Sequence, residues 1–371
     1  MKKVDIHVHS RGSQQVVRGS SVTKSLGIKE SYVTFEHQYR LAKSRGMDYV
    51  TISDHNSISE AVKLVEAYPK DTFMSCEYLI KGKPGCQDLE ILVLDIDQHL
   101  HGELMEAAAL GVKAFVDLVR KEGRPFTLAH PAWAVQPKPR LTVGELEEWV
   151  DMCDIIEGIN GDCQRENEVA HIIAKYKKKP MSGGSDDHSG LYTGLTYTVA
   201  PDAGSKEEFL QHFREGRIYP DGEWGSIRKF SRELTAIGKA YIASEKCKRK
   251  TMGIRKYAAV HPGWLLRSII VPPILPLILM MTARFSKEAY EVRCKQLEDA
   301  YLAHIKQKHE QLIHEVIGSL EKKLETSIES LEGMVRPSDK YIPTYSLVEK
   351  VIKYIFGKKD YVHTDFTDRN A

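Results

Sequence analysis

Val4-Asp5-Ile6-His7-Val8-His9 alternates apolar and polar residues and is predicted to be a β-strand. Residues two apart on a strand share a face, so His7 and His9 can chelate one cation from a rigid element. Alone the pair carries little weight, because H-x-H arises by chance. The sequence beyond it adds more. Thr34–Arg45 reads as a helix with Thr34 at its N-cap and Gly46 past its end, and Met47–Ser53 reads as a second strand. Ser57-Ile58-Ser59-Glu60 reads as a capping box opening the next helix, which ends near Tyr68-Pro69. Thr72–Glu77 and Leu89–Asp95 are predicted strands, joined by a turn containing Gly82, Pro84 and Gly85. A helix over Gly102–Lys121, a strand Pro125–Ala129 and a second capping box at Thr142–Glu145 follow. Short strands at Asp154–Glu157, Pro180–Gly183 and Tyr197–Val199 come next, then a helix Ser205–Glu215 closed by Gly216. Repeated β-α units predict a parallel sheet, open or closed into a small TIM-like (β/α) barrel.

Metal-ligand residue types sit where several of the predicted strands give way to loops. Asp54-His55 follows the second strand, Glu77 ends the third, His130-Pro131 follows Phe126–Ala129, and Asp186-Asp187-His188 follows the turn Ser182–Ser185. That rim is where parallel β/α architectures build active sites. Imidazole nitrogens and carboxylate oxygens bind zinc, manganese or iron, and a carboxylate such as Glu77 can bridge two ions. Two ions can clamp the attacking and leaving oxygens of a phosphoryl transfer and supply hydroxide at neutral pH. Asp54 is either an orienting partner of a ligand histidine or a general acid/base. Asp187 reads as a solvated turn residue, and His37, His99, His101 and His171 as surface residues. Phosphate needs cations: Arg165 follows a predicted strand end, and Arg11, Arg18 and Lys24 follow the first strand. Asn160 can bind substrate or a water, or shape its turn.

The chain has 371 residues, enough for one large and one smaller domain, and 42% hydrophobic with 28% charged residues fits a globular protein. The net charge of +2 gives no argument for nucleic-acid binding. None of the six cysteines forms a C-x-x-C pair, so they read as reduced, mostly buried thiols of a cytoplasmic protein. Met1–His9 lacks a signal-peptide run.

The motifs together resemble those of the PHP (polymerase and histidinol phosphatase) superfamily of metal-dependent phosphoesterases. The match runs in order through Asp5-x-His7-x-His9, Thr51-Ile52-Ser53-Asp54-His55-Asn56, Glu77, Ala129-His130-Pro131 and Gly184-Ser185-Asp186-Asp187-His188, over roughly residues 1–220. The resemblance implies a distorted (β/α)7 barrel with a C-terminal mainly helical extension, and two or three divalent metal ions (Zn, Mn or Fe). It implies that His7, His9, Glu77 and Asp186 hold the first ion, Glu77 and His130 contribute to the second, and His55 and His188 hold the third. His188 and Asp54 are the catalytic assignments, and Arg165 and Asn160 the substrate-binding ones. The expected activity is hydrolysis of a phosphate ester of a small molecule or nucleotide by a metal-bound hydroxide. Two departures stand out. Leu92 fills the place of a family histidine, so Asp88, Glu90 or Glu157 would have to substitute, and Ser10–Gln15 holds no carboxylate where members carry one. The alternative is a catalytically impaired, metal-stabilised scaffold whose helical C-terminal region binds a partner or membrane.

Residues 221–371 differ in character. Lys246, Lys248, Arg249, Lys250, Arg255 and Lys256 form a basic stretch, and Ile269–Met281 is an apolar run containing Pro272, Pro273 and Pro276. Such a run is too short for a spanning helix, which needs ~20 residues. It reads as a buried segment, or, with the basic stretch, as peripheral membrane contact through 246–281. In Ser286–Val335 the row Leu297, Tyr301, Ile305, Leu312, Val316, Leu320, Leu324, Ile328 and Leu331 predicts a long helix. It packs on its own domain or serves as a homodimer arm through 286–335.

Overall fold

The first predicted strand joins a ladder only at its opening residue Val4 and meets Asp187 through a single bridge at Val8. In the computed structural model, which describes residues 1–13, 27–82, 86–133, 141–162, 164–260 and 271–332, two ladders form. One is β1 (Lys2–Val4), β7 (Thr196–Ala200) and β8 (Tyr219–Gly222), in the order β1-β7-β8, all antiparallel. The other is β2 (Ser75–Ile80), β3 (Leu89–Leu94), β4 (Phe126–Leu128), β5 (Ile156–Asn160) and β6 (Met181–Gly184), in sequence order. Here β4-β5-β6 are parallel, while β2-β3 and β3-β4 are antiparallel. The fold is therefore mixed α/β, not the parallel sheet expected. For β2 and β3 the reason is length, since the link 81–88 is too short for the dozen or more residues of a crossover.

Among the described residues neither ladder closes on itself. The predicted strand Met47–Ser53 forms no ladder and touches its neighbours through single bridges, Val50 to Thr72 and, just beyond it, His55 to Glu77. Backbone bonds nevertheless run from β6 to β2. Asp186 N–H donates to His7 O (2.8 Å), His9 N–H to Asp187 O (3.1 Å), Ser53 N–H to Val8 O (2.8 Å) and Asn56 N–H to Glu77 O (2.8 Å). Val4, Ile6, Phe73, Leu92, Leu94 and Ala129 form a buried floor beneath the strand ends, continued by Phe209 and Phe213.

Helices α1 (Phe35–Ser44) and α2 (Ser59–Ala67) follow the first two segments. Thr34 caps α1 as expected, accepting from His37 N–H. The capping box expected for α2 is absent: Ile58 is its N-cap, and Glu60 instead pairs with Arg11 (3.1 Å) and Lys63 (2.6 Å). The single helix expected over Gly102–Lys121 is two, α3 (Gln98–Leu110) and α4 (Val112–Lys121). They are split at Gly111, whose φ of 111° breaks a helix. Helix α5 (Val143–Met152) does open on the expected capping box of Thr142 and Glu145. Helices α6 (Arg165–Lys177) and α7 (Lys206–Arg214) complete the β-α alternation.

The chain divides into two compact units, Met1–His304 and Ile305–Ala371. In the first, α8 (Ile227–Met252) lays Leu234, Ile237 and Tyr241 against Ile28 and Tyr32, and a short α9 (Ile254–Val260) follows. The last described helix is α10 (Val271–Glu332), within which the unit boundary falls. Its Leu297 and Tyr301 are buried, whereas Leu312, Val316 and Leu320 are exposed. Ile269 and Ile270, Arg18, Lys24, Pro84, Gly85 and Cys163 lie outside the described residues. Among the described residues no helix is long and apolar enough to cross a membrane. Among the described residues Cys76, Cys86, Cys153, Cys247 and Cys294 form no disulfide, and Cys76, Cys153 and Cys294 are buried.

Candidate metal centre

The strand ends bring seven of the predicted residues to one place. His7 and His9 lie on the segment after β1, against β6. The approach is close: a Cβ on Gly184 would stand 2.3 Å from His7 Cβ. Glu77 sits within β2, His55 beside it, and His130 and Asp186 follow β4 and β6. His130 and Asp186 hold positive φ (24° and 54°), a region that non-glycine residues occupy at a cost, mostly where surrounding structure or function imposes it.

Glu77 is the hub. Its Oε2 is 3.4 Å from His7 Nε2, 3.3 Å from His9 Nε2 and 2.9 Å from His55 Nδ1, while its Oε1 is 3.2 Å from His130 Nε2. Asp186 Oδ1 lies 3.2 Å from His7 Nε2 and 3.1 Å from His9 Nε2. Four ligand sets result: His7-His9-Glu77, His7-His130-Asp186, His55-Glu77-Glu90 and His9-His55-His188. The His9 ring stacks on His188 and His55, with centroids 4.0 and 4.5 Å apart.

These groups fit a cation. His7 Nε2, both ring nitrogens of His9, His55 Nδ1 and both oxygens of Glu77 are buried and make no hydrogen bond. Buried polar atoms are nearly always bonded, and leaving one without a partner costs ~1–3 kcal/mol. Six converging in one cluster are explained by a ligand that accepts lone pairs from all of them.

The electrostatics match. Burial disfavours the charged ring of His7, but Asp186, Glu77 and Glu157 outweigh it and hold His7 well above its usual range. The same contest, won by Asp186 and Glu77, leaves His9 at about 10, and Glu77 holds His130 at about 9. At Glu77 burial opposes ionisation, yet His55 and His7 keep it well below the carboxylate range. His188 is pushed down to about 3 by burial and by His9. Cation-free, the cluster thus balances its carboxylates with protons that a metal would displace.

A second layer of bonds fixes the first. His7 Nδ1 pairs with Glu157 Oε1 (3.0 Å), and Glu157 Oε2 accepts from His130 N–H (2.9 Å) and Asn160 Nδ2 (3.0 Å). Asn160 Nδ2 also donates to Asp186 Oδ2 (3.1 Å). Metal-bound imidazoles characteristically place their other nitrogen on a carboxylate. Glu157→Ala is therefore expected to lower manganese affinity ~10–100-fold, read by calorimetric titration; an unchanged affinity would remove Glu157 from this role. Asp5 accepts from Ser185 N–H (2.9 Å) and Gly194 N–H (2.6 Å), tying the His7 segment to the loop after β6. Burial raises Asp5 to about 7 despite these bonds. Asp187 is buried, not solvated as expected. It accepts from Ser189, Gly190, Tyr192 and Thr193 and so shapes the loop behind Asp186.

The remaining predicted residues stand differently. Both Asp54 oxygens are taken by Ser10, Oδ1 by its N–H (2.6 Å) and Oδ2 by its hydroxyl (2.5 Å). Asn160 is in the cluster's supporting layer, its Oδ1 accepting from Asp162 N–H (2.9 Å). Arg165 is not among the clustered groups; it pairs with Glu168 (3.9 Å) and Glu298 (3.6 Å). His37 is exposed as expected and His101 half-buried, but neither lacks a partner, since they bond Gly190 O (2.9 Å) and the Tyr78 hydroxyl (2.8 Å). Glu90 and Glu30 complete the picture. Leu92 goes to the buried floor, and Glu90, two residues earlier and so on the same strand face, lies 3.7 Å from both His55 and His130. Glu30 lies 3.4 Å from His55 Nε2. Glu90 was readable from strand alternation, whereas nothing in the sequence around Glu30 marks it.

The histidines and carboxylates gathered at the strand ends of this mixed α/β unit form groups that could hold a metal ion. Residues 164–218, which include Asp186 and His188, match the PHP-associated family model. Among solved structures, PsfC from Pseudomonas syringae is similar at 14% identity and TM-score 0.43, over 66% of this chain and 98% of that one. A two-domain protein from Bacteroides vulgatus, described as containing a PHP-like metal-dependent phosphoesterase, is similar at 16% identity and TM-score 0.39, over 65% and 70% of the chains. An amidohydrolase from Chromobacterium violaceum, solved with sulfate and no metal, is similar at 14% identity and TM-score 0.37, over 58% and 96%. No curated protein matches the sequence.

Proposed function

We propose that this protein is a metal-dependent phosphoesterase acting on a small phosphorylated molecule or nucleotide. The observation that carries the reading is the set of buried nitrogens and oxygens around Glu77 that face one another without hydrogen bonds. His7, His9, Glu77 and Asp186 hold one divalent ion. Glu77, His130 and Glu90 would hold a second, since the two oxygens of Glu77 address different histidines. Divalent ions of the zinc, manganese or iron kind supply Lewis acidity to a phosphoryl oxygen and acidity to a coordinated water. The protein's own groups do the rest. Glu157 orients His7 and the His130 backbone, and Asn160 steadies Glu157 and Asp186. Asp54, read as orienting a ligand histidine or as a general acid/base, has both oxygens bonded to Ser10, which favours a steadying role for the segment after His9 over proton transfer. His188, at about 3, is neutral near pH 7 and suited to ligation. An open cleft lined by His55, Asn56, Ser57, Ser59, Lys63 and His101 shares His55 with the cluster. It gives the rest of the substrate a place; Lys63 at its edge is paired with Glu60, and Arg165 with Glu168 and Glu298.

The architecture belongs to the same proposal. Backbone bonds that link segments 5–9 and 50–55 to β6 and β2 support reading the unit as a distorted (β/α)7 barrel. Residues 1–220 supply the chemistry and 221–371 the helical extension. The purified chain is expected to hydrolyse members of a phosphoester panel when loaded with manganese or zinc, and Asp186→Asn to lose that activity. Equal turnover by both would sink the catalytic assignment, and turnover confined to amides assayed alongside would move the enzyme to C–N hydrolysis.

One observation favours a second reading. Leu312, Ile313, Val316 and Leu320 form an exposed apolar row on α10, as a metal-stabilised scaffold that pairs with a second copy through 286–335 would require. That reading predicts dimers by light scattering and no turnover of any ester. Peripheral membrane contact through 246–281 is tested separately by cofloatation with anionic vesicles.

A further inference from the structure

Strand β2 orients polar groups on both of its faces. Glu77 turns towards the cluster. Tyr78, next in the strand and so on the opposite face, is fully buried, and its hydroxyl lies 2.8 Å from His101 Nδ1 on helix α3. The N–H of Leu79 donates to Asn56 Oδ1 at 3.0 Å, while Asn56 N–H donates to Glu77 O at 2.8 Å. Asn56 makes both bonds at a φ of 50°, a left-handed conformation that asparagine tolerates better than most residues. Each of these two side chains thus spends one polar atom on β2 and, among the described residues, leaves the other without a partner: His101 Nε2 and Asn56 Nδ2. Both residues line the open cleft, about 790 Å³ in volume, whose wall includes His55. That volume lies within the ~300–1,000 Å³ common for small-molecule sites. His55 Nδ1 in turn is 2.9 Å from Glu77 Oε2, so the cleft adjoins the cluster.

The lining narrows what fits. Among the described residues it holds no Phe, Tyr or Trp on which a nucleobase could stack. Its one lysine, Lys63, is paired with Glu60 at 2.6 Å, and Glu66 is its acidic residue, so it offers no spare cation to a second anionic group. Ser57, Ser59 and Gln98 add groups that both donate and accept. Burial pushes the Tyr78 phenol up and His101 down, so the phenol keeps its proton and the imidazole is neutral near pH 7. A phenol that donates to Nδ1 leaves the ring proton on Nε2.

We infer that the cleft binds the uncharged polyol half of a phosphate monoester, with His101 Nε2 and Asn56 Nδ2 donating to its hydroxyl oxygens and Tyr78 positioning His101. The inference rests on the phosphoesterase reading and narrows its substrate to phosphorylated sugars or polyols in place of nucleotides. Hydrolysis breaks the ester P–O bond; water gives its oxygen to phosphate and a proton to the released polyol oxygen. Tyr78 touches no substrate and acts only through His101.

Steady-state kinetics of the manganese-loaded full chain on methyl phosphate, glycerol phosphate, glucose phosphate and adenosine monophosphate test this. Wild type is expected to show a higher kcat/KM on the two polyol esters than on methyl phosphate or the nucleotide. In His101→Ala the ratio of kcat/KM for glucose phosphate over methyl phosphate is expected to fall ~3–10-fold, mainly through KM, as the loss of one hydrogen bond implies. Tyr78→Phe is expected to lower the same ratio and to release the fixed tautomer, read from the nitrogen chemical shifts of the His101 ring. A ratio unchanged in His101→Ala, or a wild type that prefers the nucleotide, would overturn the inference while leaving the phosphoesterase reading standing. A wild type that turns over no phosphate ester would remove both. If neither variant folds, the wild-type preference decides alone.

Discussion

Glu77→Ala is expected to abolish high-affinity binding of divalent ions, a larger loss than the ~10–100-fold that follows removal of an orienting partner. The reason is geometric. One carboxylate lies within 3.4 Å of nitrogens on His7, His9, His55 and His130, so its removal strips a donor from every ion position it serves. The readout need not be activity. An ion at ~100 times its dissociation constant adds ~2.7 kcal/mol to the stability of the form that binds it. Manganese should therefore raise the melting temperature of wild type and leave Glu77→Ala unmoved. In wild type the affinity should also climb with pH. Binding must displace protons from His9, held at about 10, and His130, held at about 9, and those protons leave more readily as pH rises towards these values. The sign for the metal-free protein is the opposite. Imidazoles raised above their unfolded value of 6.5 contribute stability in full below it and lose that contribution as pH rises through 9 to 10. Metal-dependent stabilisation should thus be greater at pH 8 than at pH 6; a flat dependence would show that protons and ions do not share these ligands.

Gly184→Ala is the second large effect. The added methyl would stand 2.3 Å from His7 Cβ, 2.9 Å from His7 N and 3.1 Å from His7 Cα. Backbone cannot rotate aside as the end of a flexible side chain can, so β6 or the His7 segment must move. Overpacking of this kind costs ~1–3 kcal/mol. Here the displaced segment carries His7 and His9, so lower stability and loss of metal binding should come together. Gly144→Ala is the control. Nothing lies within 4 Å of a Cβ at this helical position, and alanine there should stabilise by ~0.5–1 kcal/mol with unchanged metal binding. Metal binding retained in Gly184→Ala would mean that the contact between β6 and His7 does not set the ligands.

The clustered side chains themselves were legible because strand geometry is local. Alternation placed His7 and His9 on one face, and the change from apolar strand to polar loop marked His55, His130 and Asp186. What surrounds them was not. Glu30 sits in a segment without periodicity and reaches the cluster because Ile28 and Tyr32 pack under a helix some 200 residues later. Glu157 and Asn160 were visible as a strand end, yet their bonds to His7 and Asp186 depend on how β5 and β6 register. The sense of β2, β3 and β4 was misread because a run of apolar residues carries no direction. Glu60 was misread as a capping residue because Arg11 and Lys63, the former far away in sequence, compete for its carboxylate.

Crystals grown with manganese and measured for anomalous scattering bear most directly on the central claim. The account predicts a strong peak among His7, His9, Glu77 and Asp186, and another on the far oxygen of Glu77 beside His130 and Glu90. A clean anomalous map at those positions, with Glu77 and the histidines bonded only to one another or to water, would contradict it.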